Sequence, residues 1–180
     1  MIEMDYHALS LGKNAPETFR AVVEIPKESR NKYEIHEGML QLDRVLHSPL
    51  SYPTNYGFIP RTKAKDGDAL DVLVWSRFPL NPCCVVHVRP LGMLKMRDEE
   101  GIDNKILAVP VKDPFFKYAE GVHDVQESLL NEMAQFFRRY KELEEDKITE
   151  VEGWFGREEA KKVIIEGTER YRNALDSSQE

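Results

Sequence analysis

The chain has 180 residues and a formal net charge of −7, and 41% of its residues are hydrophobic and 32% charged. This length and composition suit one soluble globular domain, residues 1–180, and the negative charge argues against a non-specific nucleic-acid binder. No apolar run approaches the ~20 residues of a membrane span, and we expect no secretory signal in residues 1–5. The only cysteines, Cys83 and Cys84, are adjacent, and two free thiols predict a cytoplasmic location.

Seven apolar segments predict the strands of a β core. They are short, contain β-branched or large apolar residues, and are separated by Gly, Pro or charged residues. The predicted strands lie at residues 19–25, 32–35, 39–46, 72–75, 83–89, 91–96 (as strand or bulge) and 106–111. The second and third of them are spaced as a hairpin.

Two helices are predicted after these strands. The first is capped by Asp124 with Glu127 and has an apolar face that extends through Tyr140 to Leu143; the second covers residues 158–171. Strands followed by helices indicate an α+β fold with a closed or partly closed antiparallel β core.

Four other segments carry weaker predictions. Residues 6–11 predict a short helix capped by Asp5. Residues 51–60 contain two prolines, a glycine and three aromatic residues, which predicts a loop packed onto the body or presenting tyrosines to a ligand. Residues 151–154 interrupt the helical pattern, and residues 176–180 should fray.

An acidic loop precedes the strand at residues 72–75. Asp66, Asp68 and Asp71 have the spacing i, i+2, i+5, and Gly67 allows the loop to turn sharply. Like charges held this close are tolerated around a cation, and carboxylate oxygens suit Mg²⁺ or Mn²⁺. For this loop in isolation, a solvated acidic turn is the favoured interpretation.

A second acidic loop reverses that preference. Asp98 and Asp103 also lie between two predicted strands, so both loops can meet at one rim of a barrel or sheet. Five aspartates exceed the needs of one ion, which favours a multi-metal site. Four basic residues and three tyrosines provide groups for a phosphate compound: Lys32, Arg44, Lys105, Lys141, Tyr52, Tyr56 and Tyr140.

Several polar residues have a bland interpretation that we favour when each is taken alone. Glu24 is a lone acid in a strand and is most simply a solvent-facing charge. Lys32 and Glu34 share one strand face and suit an ion pair. We interpret all five histidines as structural or surface residues: His7, His36, His47, His87 and His123. No phosphate-binding Gly-x-x-x-x-Gly-Lys-Ser/Thr loop is present, so a P-loop ATPase is not indicated.

The order of the motifs closely resembles that of the family I soluble inorganic pyrophosphatases, over residues 19–154. Each motif is weak alone, but their joint occurrence in this order is very specific. The matching motifs are Glu24-Ile25-Pro26, Lys32-Tyr33-Glu34, Asp43-Arg44, Tyr52-Pro53-Thr54-Asn55-Tyr56-Gly57, Asp66-Gly67-Asp68-Ala69-Leu70-Asp71, Lys95-Met96-Arg97-Asp98, Asp103-Asn104-Lys105, Tyr140-Lys141 and Val151-Glu152-Gly153-Trp154.

The resemblance implies an OB-like five-stranded closed β-barrel flanked by helices. It also implies hydrolysis of pyrophosphate to two orthophosphates with several Mg²⁺ ions, for which Mn²⁺ or Zn²⁺ are possible substitutes, and a homo-oligomer, with a hexamer favoured. The positions matching metal ligands are Asp66, Asp71, Asp98 and Asp103, and Asp68 matches the general base beside a water shared by two metals. The phosphate-holding positions are Lys32, Arg44, Tyr56, Lys105, Tyr140 and Lys141; Glu24, Glu34 and Tyr52 match supporting residues.

One residue departs from the family pattern. Ala69 stands where the family usually has Pro or Glu. Alanine lacks the φ constraint of proline, so the loop is expected to be slightly less rigid and its metal affinity is in question.

Two alternative functions remain open from the sequence. A metal-dependent phosphohydrolase acting on nucleotides or polyphosphate is disfavoured by the short basic set and the lack of a base-stacking motif. An OB-fold binding module without catalysis is disfavoured by the net charge and the intact acidic set.

Overall fold

The computed structural model describes residues 4–177. Residues 1–3, part of the segment in which no secretory signal is expected, and residues 178–180, which were expected to fray, lie outside this range. The elements are β1 (Phe19–Ile25), β2 (Asn31–His36), β3 (Met39–Val45), β4 (Asn55–Ile59), β5 (Leu70–Val74), β6 (Val85–Asp98), β7 (Gly101–Ile102), β8 (Lys105–Pro110), α1 (Glu127–Arg139), β9 (Thr149–Phe155) and α2 (Arg157–Ser177), with 3₁₀ helices at Pro114–Phe116 and Val122–Asp124.

Five strands close into a barrel, which confirms the predicted fold class. They are hydrogen-bonded in the order β1-β4-β5-β8-β6, and β6 returns to pair with β1. The prediction of a wholly antiparallel core is wrong, because β5 and β8 run parallel. A parallel pair requires a long crossover, and β6 lies in the chain between these two strands.

The segments at residues 83–89 and 91–96 form one 14-residue strand, β6, rather than two strands. An irregularity between Pro90 and Gly92 bends it, as predicted for Gly92. Its second half pairs with β9, so residues 151–154 do interrupt the helical pattern, as predicted, but as a strand that the sequence analysis did not foresee. The strand was not predicted because it contains Gly153, at φ +149°, and glycine in a sequence usually indicates a turn or a bulge.

The predicted loop at residues 51–60 contains strand β4, which pairs with both β1 and β5. Gly57 permits this close pairing, since a Cβ atom there would lie 1.8 Å from the Val22 carbonyl oxygen. The two prolines that suggested a loop therefore flank a barrel strand, and the glycine allows that strand to pair closely with its neighbour.

Two of the three predicted helix starts need correction. Residues 6–11 form turns and no helix; the Asp5 carboxylate accepts hydrogen bonds from the backbone of His7 and Ala8 and caps only a single turn. So short a segment cannot offset the cost of helix nucleation. Asp124 does not cap α1, because it ends a 3₁₀ helix and accepts from the backbone of Glu120 and Gly121 instead.

Helices α1 and α2 cover the barrel. The apolar face of α1 is confirmed, with Met133, Phe136 and Phe137 buried. Leu143 does not continue that face: α1 ends at Arg139, and the Leu143 side chain is 60% exposed. No helix within residues 4–177 is long and apolar enough to cross a membrane.

The β2–β3 hairpin, confirmed as predicted, forms a separate two-stranded sheet. The buried Glu24 side chain of β1 accepts a hydrogen bond from the Ile35 backbone at 2.9 Å. The favoured interpretation of Glu24 as a solvent-facing charge is therefore wrong. This bond attaches the hairpin to the barrel and so forms one wall of the site.

Candidate active site

A cavity of about 420 Å³ opens at the barrel rim, between the hairpin, the two acidic loops and the end of α1. It gathers thirteen of the fourteen predicted site residues: Glu24, Lys32, Glu34, Arg44, Tyr56, Asp66, Asp68, Asp71, Asp98, Asp103, Lys105, Tyr140 and Lys141. Tyr52 does not line it. The chemical roles assigned to these residues stay predictions, but the fold brings their side chains to one place.

The parallel pairing of β5 with β8 sets the centre of the site. Asp71 and Lys105 are register partners, and Asp103 lies two residues before Lys105. The Lys105 ammonium, in a side chain only 2% exposed, is 2.5 Å from Asp71 Oδ2 and also bonds Asp103 and, at 3.3 Å, the Tyr56 hydroxyl. Lys105 thus supplies the positive charge that these two partly buried carboxylates need.

Burial and the Lys105 charge act in opposite directions on the two carboxylates. For Asp71, burial prevails and raises its pKa to about 6, even though Lys105 favours the ionised form. For Asp103, burial also opposes ionisation, but the charge and hydrogen bond of Lys105 prevail and its pKa is lowered. The pair therefore has one carboxylate that gives up its charge more readily than the other.

The first acidic loop presents its aspartates differently. Gly67 adopts φ +108°, and the Asp68 amide donates to Asp66 Oδ1 at 3.0 Å, so the loop turns within three residues. Burial raises the pKa of Asp66, to which the charges of Asp103 and Asp68 contribute. The Asp68 carboxylate has no ion pair with any residue in 4–177, in contrast to Asp71, Asp98 and Asp103.

The second acidic loop meets the segment that follows α1. Lys141 Nζ is 3.0 Å from Asp98 Oδ2 and 3.4 Å from Glu99 Oε1, and Lys147 Nζ is 2.5 Å from the same Glu99 oxygen. Burial alone would raise the pKa of Glu99, but hydrogen bonds and the two lysine charges hold it at about 2. The sequence analysis missed Glu99 and Lys147; proximity to Asp98 was the only available signal for Glu99.

The hairpin contributes alternating charges to the opposite wall. Lys32 pairs with Glu34, as predicted, and its Nζ lies 3.1 Å from Asp43 Oδ2. Arg44 pairs with Asp43 and, through Nε at 3.0 Å, with Glu144. These ion pairs hold the Lys32 and Arg44 side chains at the cavity.

Tyr52 and Tyr140 are buried and Tyr56 is half-buried, and removal from water raises the pKa of each hydroxyl well above its usual value. Tyr56 and Tyr140 line the cavity as neutral groups. Tyr52 lies behind them, with its ring 5.4 Å from that of Tyr56 and 4.7 Å from that of Phe136. Tyr52 does not line the cavity, and its supporting role stays a prediction.

Two histidines also line the cavity. The His7 ring stacks on Phe58 with centroids 4.2 Å apart, and His36 Nε2 is 2.9 Å from Glu34 Oε2. No sequence signal pointed to either, because both lie outside the matching motifs. Their positions bring imidazole groups to the cavity rim.

The donor set fits hard divalent cations. Nine acidic but only five basic side chains line the cavity, a formal excess of four negative charges. Within residues 4–177, no three acidic, histidine or cysteine side chains stand close enough together to hold an ion, since Lys105 and Lys141 lie among the aspartates. A cation bound by Asp71, Asp98 or Asp103 would share these carboxylates with the two lysines.

Comparisons with known proteins agree on one family. The inorganic pyrophosphatase family profile matches residues 21–172. The chain is 48% identical over 160 residues to the inorganic pyrophosphatase of Sulfolobus acidocaldarius, covering 87% of this chain and 92% of that one. It is 46% identical over 173 residues to the enzyme of Aquifex pyrophilus, covering 94% and 98%. The crystal structure of inorganic pyrophosphatase from Thermus thermophilus, 42% identical, superposes with a TM-score of 0.90 and covers 92% and 98%.

Proposed function

Because this chain belongs to the inorganic pyrophosphatase family, we propose that it hydrolyses pyrophosphate to two orthophosphates with the help of Mg²⁺. The observation that carries this proposal is the charge of the cavity. Pyrophosphate is a multiply charged anion, and a wall with more acidic than basic side chains would repel it unless divalent cations intervened.

Asp66, Asp71, Asp98 and Asp103 are the residues we propose as metal ligands. Their oxygens are the kind that Mg²⁺ prefers, and Mn²⁺ or Zn²⁺ are possible substitutes. Bound divalent cations would lower the pKa of a water molecule and neutralise phosphate charge. Lys105 and Lys141, which balance three of these carboxylates, would then be free to bind phosphate.

Asp68 is the proposed general base. Its carboxylate is exposed on the cavity side of the first acidic loop and has no ion pair within residues 4–177, so it is free to accept a proton. The water oxygen forms a bond to one phosphorus as the bond from that phosphorus to the bridging oxygen breaks. The water proton passes to Asp68, and the bridging oxygen leaves with the second orthophosphate.

The remaining groups hold the two phosphates. Lys32, Arg44, Lys105 and Lys141 are positioned by ion pairs to present positive charge to an anion in the cavity. The neutral hydroxyls of Tyr56 and Tyr140 can donate hydrogen bonds without adding negative charge. Charge that develops on the leaving phosphate would be stabilised by these groups.

Three further properties are proposed on the strength of the family. The chain acts as one domain, 1–180; it assembles as a homo-oligomer, with a hexamer favoured; and it works in the cytoplasm. The matched region spans most of the chain, and the two unpaired cysteines suit a reducing compartment.

Orthophosphate release from pyrophosphate tests the reaction and the base together. Wild type, Asp68→Asn and the control Glu132→Gln, an exposed acid on α1 outside the cavity, would be assayed with Mg²⁺ and with a chelator. We expect metal-dependent release that falls about 10²- to 10⁴-fold in Asp68→Asn and is unchanged in the control. Release that survives in Asp68→Asn would move the base elsewhere. If no orthophosphate is released with any divalent metal, the proposed enzymatic activity is wrong and a binding module is favoured.

A further inference from the structure

Glu144 is a buried acid that the assigned chemistry does not use. It lies in the segment between α1 and β9, shortly after Tyr140 and Lys141, and its side chain is only 7% exposed. Its Oε1 accepts a hydrogen bond from Arg44 Nε at 3.0 Å, across 100 positions of sequence. A carboxylate this buried is costly unless it is paired, so its contact with Arg44 accounts for its place.

The hydrogen bonds of Arg44 leave one side of its guanidinium available. Nε donates to Glu144 and Nη1 donates to Asp43. Nη2 has no acceptor within residues 4–177, and Arg44 lines the cavity. A planar guanidinium that is held at Nε and Nη1 has its rotation fixed, and only its far edge remains to bind a phosphate.

Asp43 alone could not fix this orientation. Its carboxylate is 32% exposed and is shared with Lys32, whose Nζ lies 3.1 Å away. Asp43 is also the immediate chain neighbour of Arg44, so it moves with the hairpin. Glu144 provides the second point of attachment, from a different part of the fold.

We propose that Glu144 is a positioning residue, which holds the Arg44 guanidinium so that its Nη2, the nitrogen without an acceptor, faces the phosphate of bound pyrophosphate. The inference rests on the proposed function. On this proposal, the Arg44–Glu144 ion pair aligns the hairpin side of the cavity with the Tyr140–Lys141 side before substrate binds.

The test separates substrate binding from turnover. Glu144→Ala removes the acceptor, Glu144→Asp withdraws it by one methylene, and Glu142→Ala is the matched control, since Glu142 lies in the same segment but pairs with Arg139 at the surface. We expect both Glu144 variants to raise the KM for pyrophosphate on the order of tenfold while kcat changes less than about twofold. The control should have wild-type constants.

The same Glu144 changes made in an Arg44→Lys background test whether Glu144 acts through Arg44. A lysine ammonium has no plane to orient, so adding Glu144→Ala or Glu144→Asp to Arg44→Lys should raise KM by less than about twofold further. A tenfold rise that persists in this background, or an unchanged KM in both Glu144 variants, would overturn the inference. If Glu144→Ala does not fold, Glu144→Asp carries the same test.

The outcomes distinguish this inference from the function on which it rests. If wild type releases no orthophosphate with any divalent metal, the proposed function fails. If wild type is active and the Glu144 variants match it, only the role of Glu144 fails.

Discussion

Replacing Lys105 with methionine should unbalance the centre of the site. Methionine has similar length and no charge, so Lys105→Met leaves Asp71 and Asp103 facing each other without the ammonium that bonds both. The Lys105 side chain is 2% exposed, and those of Asp71 and Asp103 are 24% and 12% exposed, so water can compensate only in part. We therefore expect a large loss of stability in the metal-free protein.

The burial of these groups sets the size of the effect. Removing one partner of a buried ion pair costs about 3 to 5 kcal/mol. The whole free energy of unfolding of a domain is about 5 to 15 kcal/mol, so the variant would lose a large fraction of it. Lys147→Met is the matched control, because its pair with Glu99 involves a side chain 35% exposed and such pairs contribute about 1 kcal/mol or less.

Urea denaturation in a chelator would measure both variants against wild type. Added Mg²⁺ should restore part of the stability of Lys105→Met, because divalent cations can take over the neutralisation of the aspartates. A loss below about 1 kcal/mol, similar to that of Lys147→Met, would refute the argument that Lys105 balances these carboxylates. Destabilisation that Mg²⁺ does not relieve would refute the assignment of Asp71 and Asp103 as metal ligands.

Three further changes have defined outcomes. Burial raises the pKa of Glu24 from 4.5 to about 8, so the folded protein holds an extra proton between these values and loses stability as pH rises. In a chelator, the stability of Glu24→Gln relative to wild type should therefore rise by about 3 to 4 kcal/mol between pH 5 and pH 8; a constant difference between the two proteins over this range would contradict this. Gly57→Ala should cost more than about 4 kcal/mol, measured as lost soluble folded protein or a lower denaturation midpoint, because its Cβ would meet the Val22 carbonyl. Ala69→Pro should raise stability by about 0.4 to 1 kcal/mol and tighten Mg²⁺ binding in a titration, and weaker binding would show that the loop does not tolerate proline.

The apolar segments of the sequence predicted most strands of the fold. Phe19–Ile25, the hairpin and Lys105–Pro110 were predictable because their apolar and β-branched residues lie between turn residues. Strands β4 and β9 were not, because Gly57 and Gly153 are required by close approach and by positive φ, respectively. Glycines that serve tertiary contacts look the same in a sequence as glycines that end a strand.

Convergence of the two acidic loops depends on a pairing that no local pattern reveals. The parallel alignment of β5 with β8 places Asp71 beside Lys105, 34 positions apart. From the residues alone, the most that could be predicted was that the two glycine-bearing acidic loops can meet at one rim of the barrel. The assignment of individual tasks came from the family resemblance, since spacing does not distinguish a ligand such as Asp66 from a base such as Asp68.

The segment after α1 illustrates why extending a pattern fails at a helix end. The apolar period that buries Phe136 and Phe137 predicts that Leu143 faces the core, but the helix ends at Arg139 and the chain turns. After that turn Leu143 faces solvent, while Glu144 is buried against Arg44. Glu144, which the helical periodicity places outside, is therefore the residue that contacts the site. Its partner Arg44 lies on the β2–β3 hairpin, 100 positions earlier in the sequence, so no local pattern shows which of the neighbouring acids is buried.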